Sequence, residues 1–469
     1  MLFSSPFFLF LFLPLALLVV SAGRGRWQDF SLLAFSALFY FWGEPRFFFV
    51  ALGSAVADYF IANSIYASHG TRKARYFLTL GIVLNIGLLF CYKYLDFFIT
   101  ALNIPLTGLG VAPLGLWRVA LPIGLSFIVF EKITYLVDIH RGRGAPAPSL
   151  GRYLLYVLLF PKLLAGPIIK YHDIADQLTS RRQSLDDFFI GGRRFLLGLI
   201  KKVLIADTLA EIADAVFGMP LHLLGFNQAW IGVLCFTFQI YFDFSAYSDM
   251  AIGLARMFGF RLLENFNMPY IAANFTEFWR RWHISLSTWI REYLYFPLGG
   301  NRGSTARTYF NLCLCFLLSG LWHGASYTFI LWGTYHGVFM VCDKLFWLKV
   351  SKRLPRLVNV MLTFVFVMLG WIIFRAKTLP QMGGMIETML SPGRDGIALY
   401  MTSNVWLALG VAAMLSFLPC CGGYEALLNG WRSWRFARLV ENWMLGALSL
   451  FTLGKAVTVT FNPFLYFRV

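Results

Sequence analysis

The chain has 469 residues, of which 58% are hydrophobic, 18% aromatic and only 13% charged, with a mean hydropathy of +0.66. A soluble domain of this length does not carry so little charge, and the composition is that of an all-α, polytopic membrane protein. Forty Lys and Arg against 23 Asp and Glu leave a formal charge of +17. The basic residues sit in short loops between apolar runs, so they read as topology signals and contacts to membrane lipids and imply no nucleic-acid partner.

Leu2 to Val20 is long enough to span and lacks the basic flank and cleavage site of a signal peptide, which predicts a retained first helix. Arg24 and Arg26 follow it, and the positive-inside rule then places that loop in the cytoplasm and the N-terminus outside. Phe30 to Trp42 returns outward, and Phe47 to Tyr66, carrying Asp58, comes back in. His69, Arg72, Lys73 and Arg75 again collect on the inner side.

Tyr76 to Tyr92 spans once more. Val111 to Phe130 contains Pro122 and Gly124, which predicts a broken or re-entrant helix, and Tyr153 to Ile169 is interrupted by Pro161, Gly166 and Pro167. Irregular backbone at membrane depth persists only where protein or water satisfies it, so a cavity wall is expected there. From Arg181 to Lys202 charges alternate with apolar pairs, the pattern of a cytoplasmic surface helix.

Ala229 to Met257 predicts a helix with Gln239, Asp243 and Tyr247 four apart on one face and Ser245 and Asp249 on another. A carboxylate at membrane centre costs ~2.5–3.5 kcal/mol on insertion scales, so neither should face lipid unpaired. Two readings stand: ion pairs with Arg280 or Arg281, or a hydrogen-bonded rim to a pocket.

Asn274, with Glu277 three residues on, predicts a capping box and a helix to about Tyr295. One face is bulky (Phe275, Trp279, Trp282, Leu286, Trp289) and the next is polar (Thr276, Arg280, His283, Ser287, Arg291). Such a helix belongs beside a wet cavity or at an interface. An apolar helix from about Thr308 to Leu321 then meets Gly320-Leu-Trp-His323-Gly324. An ionisable ring inside a span is a functional candidate, the alternative being a packing histidine bonded to a carbonyl. His336 lies thirteen residues further on in a second G-x-x-H-G. On one unbroken helix that spacing turns it roughly 220° away from His323, which weights it toward structure.

Met361 to Phe374, Ala398 to Leu418 and Trp443 to Val459 look like remaining spans. No linker divides residues 1–469, so a single domain with its motif core at 229–345 is expected. The seven cysteines form no C-x-x-C pair and suggest neither a disulfide framework nor a metal site.

A neutral imidazole in a cavity suits removal of a proton from an alcohol as it attacks an acyl carbonyl. No G-x-S-x-G, P-loop, Rossmann fingerprint or H-E-x-x-H is present. Direct acyl transfer within the membrane is the chemistry left standing. A secondary transporter of an anionic or sugar-linked substrate is the reading from another class, since it too would show broken helices and buried carboxylates.

The segments YFDFSAYSDMAIG, NFTEFWRRWHISLSTWIREYLYFPLGGNR and LSGLWHGASYTFILWGTYHG, with LPIGLSFIVFEKITYLVDIHRG and FPKLLAGPI, resemble the membrane-bound O-acyltransferase superfamily, in the bacterial branch that acetylates secreted polymers such as alginate and cellulose. The resemblance implies a ring-like helical fold with a thin centre and a central tunnel. It implies that His323 of the LWHG motif is catalytic and that His283 of WRRWH lies in the same tunnel. Asp243, Tyr247, Asp249, Asn274, Trp279, Arg280, Arg281, Trp282, Ser287 and Trp322 would then line the substrate path. It implies no bound cofactor: acetyl-CoA enters as the cytoplasmic donor substrate. The partners implied are periplasmic acetyl-carrying or polymer-acetylating proteins and, directly or through them, an exopolysaccharide. Lys162, Arg280, Arg281 and Arg302 are basic residues that could attract the CoA phosphates at the inner mouth.

Overall fold

The computed structural model describes residues 2–164, 166–420, 423–458 and 464–465, and regular structure among them is helical throughout. Pro45–Ala67, Arg72–Gly108, Phe226–Met257, Arg356–Arg375 and Ser403–Cys420 are each long and apolar enough to cross a membrane. The chain is an all-α polytopic membrane protein, and it groups into two compact units: Met1–Phe195 with Met250–Leu263, and Leu196–Asp249 with Glu264–Val469.

The first unit buries its charges in pairs. Lys132 meets Asp58 at 3.1 Å, and Asn85 donates to both oxygens of the same carboxylate at 3.0 Å. Lys162 is bonded to Glu131 and only 1% exposed, so it is not the basic residue at an open mouth that its sequence context suggested. Pairing of this kind is what a low-dielectric interior demands of an ammonium group.

Two expected interruptions take different forms. Helix Leu150–Leu158 stops at Leu159 and resumes as Phe160–Leu163, with Pro161 in its first turn. The freed backbone is met by side chains, the Tyr156 hydroxyl donating to the Ile169 carbonyl at 2.8 Å. In 111–121, by contrast, there is no helix at all: the segment is irregular and almost wholly exposed, and Leu125–His140 starts only after the left-handed Gly124. The N-terminal helix is also shorter than expected, Phe8–Ala22, about 22 Å at ~1.5 Å per residue and below the ~30 Å of a hydrocarbon core.

In the second unit the chain enters through Lys201–Ala206, a wide turn of helix that places Lys201 and Lys202 on the charged side of Phe226–Met257. Lys202 is 3% exposed, so the cationic run beginning at Arg181 ends buried and not on a surface. Helices Thr305–His323 and Tyr327–Cys342 form a hairpin around the three-residue link Gly324 to Ser326. A Cβ on Gly320 would lie 2.2 Å from the Phe329 carbonyl oxygen, and one on Gly333 would lie 2.3 Å from that of Phe316. Only hydrogens fit at this crossing, which lets the two backbones approach as small residues do between membrane helices.

Candidate active site

Asn274 begins its helix as expected: its side chain accepts from the Glu277 N–H at 2.7 Å, while Glu277 accepts from the Ala273 N–H at 2.9 Å. The helix does not run on to Tyr295. It ends at Arg281, Trp282 is extended, and His283 takes a left-handed conformation (φ 43°, ψ 56°) before a second helix, Ile284–Ile290. A non-glycine residue held there is strained by ~1–3 kcal/mol, so surrounding contacts must hold it.

Those contacts come from the loop at Asn265. The Ile284 N–H donates to the Asn265 carbonyl at 2.9 Å, and the Asn267 N–H donates to the Arg281 carbonyl at 2.9 Å, so the backbone groups released by the break are satisfied. The Asn265 side-chain oxygen accepts from Ser285 twice, N–H at 3.2 Å and Oγ–H at 2.9 Å, and its amide donates to Ser248 Oγ at 3.1 Å. The carboxamide is therefore fixed with its oxygen toward His283, whose Nδ1 is 3.1 Å away. An acceptor at Nδ1 demands a proton there, which leaves Nε2 of a neutral ring carrying the lone pair. Nε2 is buried and has no partner among the described residues.

His323 is the last residue of its helix and 7% exposed. Its ring stands edge-on to Trp332 (4.9 Å), Phe374 (5.3 Å) and Trp322 (5.0 Å). The Trp322 ring is also near the other histidine, its centroid 6.2 Å from that of His283. His336 is not turned away on a common helix, because the hairpin folds it back: Trp332 touches it at 4.7 Å as well. It is 0% exposed, and neither ring nitrogen has a partner among the described residues.

Thr276, Trp279, Arg280 and Ser287 come together on a cavity of about 490 Å³ that also meets Arg291, Ser319 and Lys344. None of the three histidines lines this cavity; Trp279, which does, packs at 5.8 Å on Trp332, the ring that His323 stands against. The remaining expected residues fall elsewhere. Asp243 pairs with Lys202 at 2.8 Å and Asp249 with Lys201 at 2.7 Å, in place of Arg280 or Arg281. Arg281 closes on Glu277 at 2.9 Å, and Trp282 is buried against Trp371 at 4.7 Å. Tyr247, 2% exposed, is one turn beyond Asp243. Sequence reasoning missed Asn265, Ser248 and Ser285. The sole signal was an asparagine in a loop, and nothing in its spacing ties it to a histidine eighteen residues away.

Residues 144–383 match the membrane-bound O-acyltransferase family. The chain belongs to this family. A probable alginate O-acetylase of Pseudomonas aeruginosa is 45% identical over 84% of this chain and 75% of its own, and one of Pseudomonas putida is 39% identical over the whole of both. A peptidoglycan O-acetyltransferase of Helicobacter pylori is 35% identical over 85% and 81%. Membership in the membrane-bound O-acyltransferases makes the chain an acyltransferase, the reaction class its residues had left standing. The family match covers the cavity, the Asn265 loop and His283, His323 and His336.

Proposed function

We propose that the chain is a bacterial inner-membrane O-acetyltransferase that moves acetyl from cytoplasmic acetyl-CoA to a hydroxyl of a secreted exopolysaccharide, alginate or cellulose, or of a periplasmic protein that then acetylates it. The observation that carries this reading is the His283 ring, its tautomer set by Asn265 and its buried Nε2 lone pair without a hydrogen-bond partner among the described residues. The names of the relatives, two alginate O-acetylases and a peptidoglycan O-acetyltransferase, support acetyl transfer to a polymer.

In this mechanism His323 removes the proton of the acceptor hydroxyl, the new C–O bond forms as the acyl C–S bond breaks, and the departing thiolate takes up the proton. His283 holds the acceptor by accepting, at the Nε2 lone pair, a hydrogen bond from a second hydroxyl beside the one that reacts. The cavity seats the donor, with Arg280, Arg291 and Lys344 at its edge for phosphate oxygens and Trp279 and Phe316 for the acyl-carrying arm. The arginines and lysines of the loops at Arg24 and Arg72 orient the chain with those loops inside and the N-terminus in the periplasm.

Purified protein in detergent with labelled acetyl-CoA tests this. Thioester cleavage that falls ~10²-fold or more in a stably inserted His323→Ala variant supports it. Movement of ligand without cleavage would favour a transporter instead, although Asp243 and Asp249 are each held by a lysine and so are poorly placed to bind a coupling ion.

A further inference from the structure

Far from the family motifs, Phe464 and Leu465 return to the middle of the second unit. The Leu465 N–H donates to Asp243 Oδ2 at 2.8 Å across 222 residues of sequence, while the other oxygen of the same carboxylate holds Lys202 at 2.8 Å. The Phe464 ring stacks on Tyr247 (4.7 Å, 29°) and packs on Phe244 at 5.8 Å. Phe244 in turn stands edge-on to His283, 4.7 Å between centroids and 85° between planes. Phe464 is 1% and Leu465 4% exposed.

Chain termini usually fray unless something ties them down. Here the tie is a charge-assisted hydrogen bond to a buried carboxylate, of the stronger kind, combined with a fully enclosed aromatic ring. It is made on a helix face that the sequence marks as polar within an apolar span, that of Gln239, Asp243 and Tyr247, and it engages the aromatic residue that bears on His283. Asp243 and Tyr247, expected to line the substrate path, are instead occupied by the chain's own tail.

We propose that Phe464 and Leu465 are positioning residues of the acyl-transfer site: the tail seats on Asp243, Tyr247 and Phe244 and holds the Phe244 ring against His283. The seat is a peptide-binding site, recognising a backbone N–H through Asp243 and an aromatic ring through Tyr247. The catalytic part of this inference rests on the acetyl-transfer reading above; the docking part does not.

Two measurements on the full-length protein in detergent separate them. Hydrogen exchange of the C-terminal peptide should be slow in the intact protein and at least ~10-fold faster in Asp243→Ala, a change of more than 1.4 kcal/mol in local stability; fast exchange in the intact protein overturns docking whatever the enzyme's activity. Acetyl transfer should lose ~10-fold or more in kcat in Phe464→Ala with KM for acetyl-CoA unchanged, and Phe464→Tyr, which keeps the ring, should restore it. Deletion of residues 459–469 should behave as Phe464→Ala does, and a synthetic peptide of that sequence should restore activity saturably. Full kcat in Phe464→Ala, or a loss that neither Phe464→Tyr nor the peptide recovers, overturns the positioning role. If the intact protein does not cleave acetyl-CoA, the acetyl-transfer reading fails while the exchange result still decides docking.

Discussion

Asn265 and His283 face each other at 3.1 Å, the carboxamide oxygen of one on Nδ1 of the other. This pair explains the strained backbone as well as the tautomer. Asn265 is locked from the other side by Ser285 and Ser248, so its orientation does not depend on the histidine. The same loop supplies the carbonyl that receives the Ile284 N–H. A left-handed histidine is thus held by groups that also cap the helix it starts.

Asn265→Ala removes the acceptor at Nδ1 and frees the ring to take the other tautomer. Outer partners that orient a metal-ligating imidazole are typically worth 10- to 100-fold, and by that measure acetyl transfer should fall by about 10- to 100-fold while the protein still inserts and elutes as the parent does. Unchanged turnover would show that the lone pair on Nε2 is not needed.

The span Phe226–Met257 and the capping box at Asn274 were legible because hydrophobic period and cap chemistry are local properties. In FTEFWRRWHISLS no glycine or proline marks an interruption, and an uninterrupted helix is the sound local reading. The break is imposed by backbone pairing with Asn265 and Asn267, which no periodicity reports. The carboxylates tell the same story: that Asp243 and Asp249 needed cations followed from burial, but their pairing with Lys202 and Lys201 depends on the wide turn at Lys201–Ala206.

Lys202 bridges two carboxylates, Asp207 and Asp243, at 2.7 and 2.8 Å. Removing one member of a buried pair typically costs ~3–5 kcal/mol because a charge is left uncompensated. Lys202→Met should therefore lower the melting temperature in detergent strongly, and the double variant Lys202→Met with Asp243→Asn should recover part of the loss. Equal destabilisation by the single and double variants would mean that the pair contributes no coupling.

In the first unit, two carboxylates flank His172, Nδ1 standing 2.7 Å from Asp138 and Nε2 3.2 Å from Asp173. These hydrogen bonds raise its pKa from 6.5 to about 9. A folded-state pKa above the unfolded one means that the stabilisation is complete below about pH 6.5 and is lost as pH rises through about 9. Melting temperature should decline across that window, and His172→Gln should flatten the decline. A parent curve that is level over this range, or a variant curve as steep as the parent's, would count against the assignment.

The close crossing of the helix hairpin sets where His323 can stand. Gly320 is three residues before it, and a Cβ there would meet the Phe329 carbonyl oxygen at 2.2 Å; the reciprocal Cβ on Gly333 would meet the Phe316 carbonyl oxygen at 2.3 Å. Both obstacles are backbone, so neither can swing aside as a side chain would, and the helices must separate. Overpacking of this kind costs roughly 1–3 kcal/mol, and separation also moves Trp332 relative to His323, since the two belong to opposite arms of the hairpin. Gly333→Ala should therefore lower the melting temperature and reduce acetyl transfer together. Gly383→Ala, where a Cβ meets nothing within 4 Å, should change neither. A Gly333→Ala enzyme as stable and active as the parent would show that the crossing tolerates a wider spacing and that His323 is placed by other contacts.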